Sequence, residues 1–443
     1  MKFDDIKKRI LKNYKLLVST KIISGLASVI TLLLIARFLG VKEFGVFAMV
    51  ISSVEILNIL FSFRVWDTTV KFIGDNATNK QNISSYISFS MLVSFFSSLL
   101  SLMLIFFLAD WVTYHLFGDL NITTLPGFYS INFLAKLISI YAFSVLFISI
   151  NDNFDGILRT YNQYNSILKI NIITNLSRLV LVALSIYYYG TLIKIFICFV
   201  LAFAIGTLLR FIYLTRALNK EEIDFELSHS LNHSEQFDYL KFMSNAHFSN
   251  ILNLANDKNL GVLVVGYFVG PFYAGLYRVA RAITKIIRRI MDPALEIIFP
   301  EFVKLNTEKD FQNYKKVIVE SVKMLLFSSS IVGLGIYVFS SEIIVLFFGT
   351  EYIQAESALF ILIIAMIIHN GIYWINPSML ALGRAKYLTI ITIITALIYC
   401  SSLFYLVRAM QHDGAALSLV IRNLSILVIG TCFYIKVIKE KLS

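Results

Sequence analysis

The stretch FLGVKEFGVF (residues 38–47) lies between the first two long apolar segments, and FVGPFYAGLY (268–277) lies in a similar place 230 residues later. Both read Phe, an apolar residue and Gly, then four further residues, and then Gly, an apolar residue and an aromatic residue. Glycine tolerates a positive φ and close backbone approach, so this pattern favours a tight turn between two helices. A second pair, LFGD (116–119) and FFGT (347–350), recurs at a spacing of 231. We interpret these pairs as an internal repeat rather than as unrelated turns in a Gly- and Phe-rich chain.

The composition is that of an all-α polytopic membrane protein. The chain has 443 residues, of which 58% are hydrophobic and 15% charged, and its mean hydropathy is +0.75. Soluble domains average about 45–50% apolar and about 25% charged residues, so that class is excluded. Continuous rather than alternating apolar runs exclude an outer-membrane barrel. Since a spanning helix needs about 20 residues, we predict twelve spans, at residues 16–37, 44–63, 84–109, 131–150, 167–188, 191–215, 242–268, 273–297, 318–340, 354–376, 388–408 and 414–436.

The distribution of lysine and arginine predicts the topology. If the N-terminus is cytoplasmic, the outer loops hold only Lys42, whereas the inner loops and tails hold most of the remaining loop charges. Because cytoplasmic loops are enriched in these residues, both termini are predicted to be cytoplasmic, and the net charge of +11 reflects topology rather than nucleic-acid binding. The most polar stretch then divides the chain into a six-helix bundle at 1–215, a cytoplasmic linker at 216–241 and a second six-helix bundle at 242–443.

The eighth predicted span is unusually basic. Its charged residues recur at intervals of 3, 4, 3 and 1, which places them along one face of a helix: Arg278, Arg281, Lys285, Arg288 and Arg289. Charges inside a span are costly, and they usually face a cavity or a partner. Together with Lys21 of the first span, Arg278, Arg281 and Lys285 are therefore candidates to line an anion-binding cavity. The alternative is that these residues set the topology or reach the membrane surface with their long side chains.

Spans 1 and 7 also carry polar stripes. The candidate cavity-lining residues are Ser24 and Ser28 in span 1, Lys136 in span 4, and Asn250, Asn253 and Asn256 in span 7. Hydrogen bonding between helices is the alternative for the uncharged ones. Asp257 is the candidate for coupling to a cation, because a carboxylate in a membrane cavity can hold a proton or a sodium ion. A salt bridge to Lys258 or to an arginine of span 8 is the alternative for Asp257.

Signatures of enzymes and of metal sites are absent from the sequence. There is no Walker motif and no HExxH spacing among the six histidines. The pair Asp152 and Asp155 is predicted to lie in a solvated turn of an inner loop rather than to bind a metal. The three cysteines lie in apolar runs, so a disulfide framework is not expected. We predict neither catalytic nor metal-binding residues.

Four stretches of the sequence resemble one family of transporters. They are ARFLG (36–40) followed by GVF (45–47), GYFVG (266–270) followed by GLY (275–277) and Ala280, FFGTEY (347–352), and LALGR (380–384). Together they are similar to the bacterial O-antigen and capsule-unit flippases of the multidrug/oligosaccharidyl-lipid/polysaccharide exporter superfamily. The resemblance implies a MATE-like transporter architecture of two six-helix bundles.

The resemblance also implies a function in polysaccharide biosynthesis. The expected substrate is an oligosaccharide repeat unit on undecaprenyl pyrophosphate, moved by alternating access from the inner to the outer leaflet of the bacterial cytoplasmic membrane. A cation gradient or the membrane potential would drive transport, with Na⁺ or H⁺ as the coupling ion and no cofactor. Besides membrane lipids, a polysaccharide polymerase and a chain-length regulator are the expected partners, and nucleic acid is not.

Two alternative functions remain open. A drug/cation antiporter of the same fold would need acidic and aromatic cavity walls, which the basic eighth span disfavours. A membrane enzyme of the same pathway, such as a polysaccharide polymerase, would need a large outer loop with arginines, whereas the predicted outer loops are short.

Overall fold

The computed structural model describes the backbone of residues 3–75, 79–117, 130–188, 190–223, 231–252, 258–289 and 291–442. It describes the side chains in these ranges except at 3–24, 249, 252, 258, 289, 291–297, 300, 385, 441 and 442. The elements in these ranges are helices: α1 (Phe3–Phe61), α2 (Val65–Asp75), α3 (Lys80–Phe117), α4 (Ile131–Thr160), α5 (Tyr164–Tyr187), α6 (Leu192–Lys220), α7 (His233–Leu252), α8 (Lys258–Val269), α9 (Pro271–Arg289), α10 (Met291–Thr307), α11 (Phe311–Val338), α12 (Ser340–Phe347), a 3₁₀ turn (Thr350–Tyr352), α13 (Ala355–Gly371), α14 (Ile375–Ala381) and α15 (Ala385–Leu442).

Within the described ranges, eight helical segments are long and apolar enough to cross a membrane, and they include parts of α1, α3–α6, α11, α13 with α14, and α15. The chain is therefore an all-helical polytopic membrane protein. Two of these segments contain a non-helical residue, Gly40 (φ 71°) in α1 and Gln411 (φ 54°) in α15, so each consists of two helices joined at a kink. The total of twelve spans and the cytoplasmic termini stay predictions.

The predicted eighth span, 273–297, covers most of α9 and the start of α10, and it stays a prediction because residue 290 between these helices lies outside the described residues. Helix α9 ends at Arg289, and α10 begins at Met291. The sequence analysis did not predict α2 as a separate helix. This helix follows the second predicted span in the first half of the chain.

The chain forms two compact units. Unit 1 consists of Met1–Phe38 and Val50–Ile251, and unit 2 consists of Leu39–Met49 and Leu252–Ser443. The segment that follows the kink at Gly40 thus belongs to unit 2, although the rest of α1 belongs to unit 1. The predicted bundles, 1–215 and 242–443, stay predictions.

The two copies of the glycine repeat pack against each other inside unit 2. A Cβ on Gly45 would overlap the Pro271 carbonyl, and a Cβ on Gly275 would lie 2.5 Å from the Val41 carbonyl oxygen. Gly45 corresponds to Gly275 at the spacing of 230, and Val41 corresponds to Pro271, so the crossing is reciprocal. Small residues let helix backbones approach closely, which is how membrane helices gain packing energy. The repeat therefore builds a helix–helix crossing as well as two turns.

Replacing Gly45 by alanine is expected to destabilise the protein by about 1–3 kcal/mol, because the added methyl group forces the two backbones apart. Gly335 is the matched control, since it lies in a helix and a Cβ there would meet no atom within 4 Å. Gly335→Ala is expected to be neutral or slightly stabilising. Thermal unfolding of the purified variants in detergent checks both results. Equal stability of Gly45→Ala and the parent protein would contradict the close crossing.

Helix α4 organises the core of unit 1 through buried polar contacts. The Thr69 hydroxyl of α2 donates to Asn153 Oδ1 of α4 (2.8 Å) and lies 2.9 Å from the Tyr239 hydroxyl of α7. Asn153 Nδ2 donates to Ser90 Oγ of α3 (3.1 Å). Buried polar groups of this kind specify a unique packing when they are all paired. They fix α2 and α7 against α4.

The prediction of a solvated turn at Asp152 and Asp155 is wrong, because both residues lie within α4. The Asp155 carboxylate accepts from Arg210 Nε (2.8 Å) and Nη2 (3.0 Å), and both side chains are largely buried. Arg210 Nη2 also donates to Asn171 Oδ1 (2.7 Å). The helix continues beyond its apolar part because these polar side chains find partners on neighbouring helices.

Candidate substrate site

The basic face of α9 begins at the turn that the repeat predicts. Gly270 has a φ of 107°, and Pro271 is the first residue of the helix, where its missing N–H has no effect. Arg278 Nη1 donates to Asn259 Oδ1 of α8 (3.3 Å). Arg281 Nη1 donates to the Tyr277 hydroxyl (3.4 Å). These contacts tie Arg278 to α8 and Arg281 to Tyr277 of the same helix.

Two residues from other helices join this face. His369 of α13 interacts electrostatically with Arg288, Arg422 and Arg281, and Arg422 of α15 interacts with both arginines of α9. We call these four residues the basic cluster. The Arg422 guanidinium carbon lies 6.0 Å from the centre of the Tyr399 ring. Its Nε is buried without a hydrogen-bond partner among the described residues.

Buried amides lock the helices that carry the basic cluster. Asn370 Nδ2, next to His369, donates to the Ile287 carbonyl of α9 (2.9 Å) and to Ser329 Oγ of α11 (2.6 Å). Asn423 Nδ2, next to Arg422, donates to the Ala365 carbonyl of α13 (2.7 Å). These bonds join α13 to α9, α11 and α15 next to the residues of the basic cluster. An anion bound at the basic cluster would relieve their repulsion, and guanidinium groups suit phosphate oxygens because they bind them bidentately.

The other predicted residues of the anion cavity lie at different places or outside the described part. Lys285 is exposed on α9, and Lys136 is exposed on α4 in unit 1. The side chains of Lys21 and Ser24 fall outside the described residues, although both positions lie in α1. Asn253, Asn256 and Asp257 also fall outside them. Arg281 is a predicted anion-binding residue that the structure brings into the basic cluster.

Ser28 takes part in a contact between helices of unit 1. Arg178 Nη2 of α5 donates to Ser28 Oγ (2.9 Å) and to Asn175 Oδ1 (2.6 Å). The Arg178 guanidinium carbon lies 5.1 Å from the centre of the Phe199 ring. Arg178 and Phe199 stand 221 and 223 residues before Tyr399 and Arg422. Each unit therefore holds a contact between an arginine and an aromatic ring.

Asn250 lines a polar cavity of unit 1. The cavity has a volume of about 220 Å³, and its walls include Arg64, Trp66 and Asp152. Arg64 Nη1 donates to Asn250 Oδ1 (3.5 Å), and its Nε forms an ion pair with Asp67 of α2 (2.5 Å). Burial raises the pKa of the Asp67 carboxyl above its ordinary value, although the neighbouring Arg64 acts to lower it.

Sequence reasoning missed two members of the basic cluster. Arg422 was noticed as a charge within a span but was equally consistent with an interhelical pair, and His369 carried no signal of its own. Placing an arginine inside a span costs free energy unless it has a partner or faces a cavity, and this cost is what singles out Arg422. Arg281 and Arg422 lie 141 positions apart, and no pattern in the sequence relates the two positions.

The family model for polysaccharide biosynthesis proteins matches residues 10–306, which is more than half of the chain. The chain belongs to this family. The resemblance to polysaccharide flippases is thereby confirmed. The chain is similar to the probable low-salt glycan biosynthesis flippase Agl15 of Haloferax volcanii, with 28% identity over 142 residues. This match spans 31% of the chain and 30% of the relative.

Solved structures share the fold over nearly the whole chain. An inward-facing multidrug resistance MATE family transporter of the MOP superfamily has a TM-score of 0.77 at 14% identity, covering 96% of each chain. The lipid II flippase MurJ in an inward closed conformation has a TM-score of 0.75 at 17% identity, covering 95% of this chain and 87% of that one. A MOP superfamily transporter from Pyrococcus furiosus, described by the reverse polarity of its binding pocket, has a TM-score of 0.59 at 14% identity, covering 94% and 95%. The chain therefore has the fold of MATE and MurJ transporters.

Proposed function

We propose that this protein is a flippase for lipid-linked saccharides, and that its substrate is an O-antigen or capsule repeat unit on undecaprenyl pyrophosphate. The observation that carries the proposal is the basic cluster on α9, α13 and α15. A pyrophosphate is a dense anion with several acceptor oxygens, so it matches a group of arginines better than a neutral or cationic molecule does. Membership of the polysaccharide biosynthesis family and the glycan flippase relative support the same substrate class.

The charge of the basic cluster argues against the two alternative functions. A cationic drug would be repelled by Arg281, Arg288 and Arg422, so a drug/cation antiporter is disfavoured. A polymerase would need groups that transfer a glycosyl unit, and family and fold point to transport instead. The substrate would move by alternating access across a bacterial cytoplasmic membrane, with a polysaccharide polymerase and a chain-length regulator as downstream partners.

A transport assay in proteoliposomes tests the proposal. The probe is a short saccharide on a polyprenyl pyrophosphate, and the matched control is the same saccharide on an uncharged polyprenyl ether. We expect protein-dependent movement of the pyrophosphate lipid between leaflets, measured by accessibility of the sugar to an external glycosidase. Equal movement of the uncharged lipid, or movement of a cationic dye without movement of either lipid, would refute the proposed substrate.

Asp257→Asn tests the proposed coupling to a cation. We expect this variant to lose the stimulation of transport by a Na⁺ or H⁺ gradient, because an amide cannot exchange a proton and is a weaker ligand for sodium. Transport driven by substrate concentration alone should persist, and the protein should remain in the membrane at the parental level. A parental gradient response would assign the coupling to another residue or to the membrane potential acting on the substrate charge.

A further inference from the structure

The polar cavity of unit 1 is separate from the basic cluster, which lies in unit 2. Its walls come from α1, α2, α4, α7 and the residues between α1 and α2. They include Asn58, Ser62, Arg64, Trp66, Ser149, Asp152 and Asn250. A single water needs only ~15 Å³, so a cavity of about 220 Å³ has room for a much larger group. It is smaller than the pockets of drug-sized ligands, which begin at about 300 Å³. A single small ring therefore fits it better than a whole oligosaccharide.

The walls of this cavity are held in place before any ligand binds. A Cβ on Gly156 of α4 would lie 3.3 Å from both Cβ and the carbonyl oxygen of Trp66, so the glycine lets Trp66 lie directly on α4. The buried contacts of Thr69 anchor α2 one turn further on. Ser62 Oγ and Ser149 Oγ lie 2.6 Å apart, which joins α1 to α4 at the cavity wall. A pre-organised site of this kind loses little conformational entropy on binding.

The charges around the cavity are balanced. Arg64 is paired with Asp67, and the Asp152 carboxylate on the cavity wall interacts with the like charge of Asp155 and with the opposite charges of Arg210, Arg159 and Arg64. The guanidinium carbons of Arg64 and Arg159 lie 5.2 Å and 5.4 Å from the centre of the Trp66 ring. Two guanidinium groups therefore disfavour a bound cation, and the carboxylates disfavour a pyrophosphate. The cavity suits a neutral polar ligand.

The remaining groups match the hydroxyls of a sugar. Asn58 and Asn250 each offer a donor and an acceptor, serine hydroxyls do the same, and Asp152 and Arg64 supply a strong acceptor and strong donors. A sugar hydroxyl both donates and accepts, so it pairs with all of these groups. The Trp66 indole, whose ring the Arg64 and Arg159 guanidinium groups cover, adds apolar atoms to the cavity wall. A neutral molecule that carries several hydroxyls therefore uses these mixed donors and acceptors most fully.

We infer that this cavity binds a single neutral sugar residue of the transported saccharide. The inference rests on the proposed function and adds to it a sugar-recognition site within unit 1, distinct from the pyrophosphate site at the basic cluster. The side chains that select the sugar are Asn58, Asp152 and Asn250, and Trp66 lies beside them on the cavity wall.

Trp66 provides a direct measurement, because the chain has only three tryptophans, Trp66, Trp111 and Trp374. The experiment uses the full-length Trp111→Phe/Trp374→Phe variant in detergent, so that the emission comes from Trp66 alone. Methyl glycosides of glucose, galactose and N-acetylglucosamine are the probes, and sodium pyrophosphate and sodium chloride are the controls. We expect a saturable change of Trp66 emission with at least one glycoside and none with pyrophosphate or chloride.

Two variants and one control protein make the outcome specific. Asp152→Asn and Asn250→Ala are each expected to raise the apparent Kd for the glycoside about tenfold or more. The Trp66→Phe/Trp111→Phe protein, which retains Trp374 in unit 2, is expected to give no change with any glycoside. The parent protein with all three tryptophans repeats the titration in case the double replacement impairs folding.

A response to pyrophosphate alone, the absence of a response to every glycoside in both proteins, or an unchanged Kd in both variants would overturn the inference. The proposed function is judged separately by the proteoliposome assay. Transport of the pyrophosphate lipid without a Trp66 response leaves the flippase standing and removes the sugar site. Glycoside binding without transport of that lipid removes the flippase proposal, and with it the assignment of the bound sugar to a transported saccharide.

Discussion

The Arg281→Ala/Arg422→Ala variant is expected to transport the pyrophosphate lipid at least about 100-fold more slowly than the parent protein at low substrate concentration. Each guanidinium is expected to make charge-assisted hydrogen bonds to the pyrophosphate, worth about 1.5–3 kcal/mol for each arginine. Losing both arginines removes about 3–6 kcal/mol, and every 1.4 kcal/mol is about a factor of ten in affinity. Initial rates in the proteoliposome assay, taken well below saturation, measure the effect.

Two controls separate this role from a structural one. Arg408→Ala removes another arginine of unit 2, which lies 4.4 Å from the centre of the Phe268 ring and outside the basic cluster, and it should keep transport within about twofold of the parent. Lysine at positions 281 and 422 should give an intermediate rate, because it keeps the charge but loses bidentate geometry. Full transport by the double alanine variant at normal protein levels would remove the basic cluster from substrate binding.

Asp155→Ala is expected to destabilise the protein by about 3–5 kcal/mol. The substitution leaves Arg210 buried with its charge uncompensated, and breaking a buried ion pair in this way is strongly unfavourable. The side chains of Arg210 and Asp155 have exposed fractions of only 7% and 14%, so water cannot replace the missing carboxylate easily. Thermal or denaturant unfolding in detergent measures the loss.

A second substitution tests the cause. Asp155→Leu/Arg210→Met removes both charges and should recover most of the lost stability, because an apolar pair of similar size can replace a buried ion pair. Glu320→Ala is the surface control, since Glu320 and Lys323 form an exposed pair of the kind that contributes about 0–1 kcal/mol. If Asp155→Ala were no more harmful than Glu320→Ala, the buried pair would not stabilise unit 1.

The sequence predicted the parts of the fold that follow from local pattern. A positive φ at Gly40 and Gly270 was expected, because a glycine at a tight turn is recognisable from the few residues around it. The C-terminal end of α4 was not predictable from hydropathy. An apolar stretch marks only the part of a helix that suits lipid, and α4 extends beyond it. The helix continues to Thr160 as a result of contacts such as that between Asp155 and Arg210, which come from a helix 55 residues away.

The candidate site was predictable in part for the same reason. Arg281 was identified because its neighbours on α9 follow a helical period. His369 and Arg422 reach the basic cluster through tertiary packing, so no period in the sequence connects them with α9. Trp66 and Asn58 had no signal at all, since a single aromatic residue and a single amide at the end of a span are ordinary.

The crossing of Gly45 and Pro271 sets an order of events during synthesis. Residue 271 is made 226 residues after residue 45, which takes roughly 11–45 s at ~5–20 residues per second. Throughout that interval residues 41–49 have been synthesised while their partner does not yet exist. Unit 2 therefore cannot complete its packing from the C-terminal half alone, because one side of this crossing is made early and the other side is made much later.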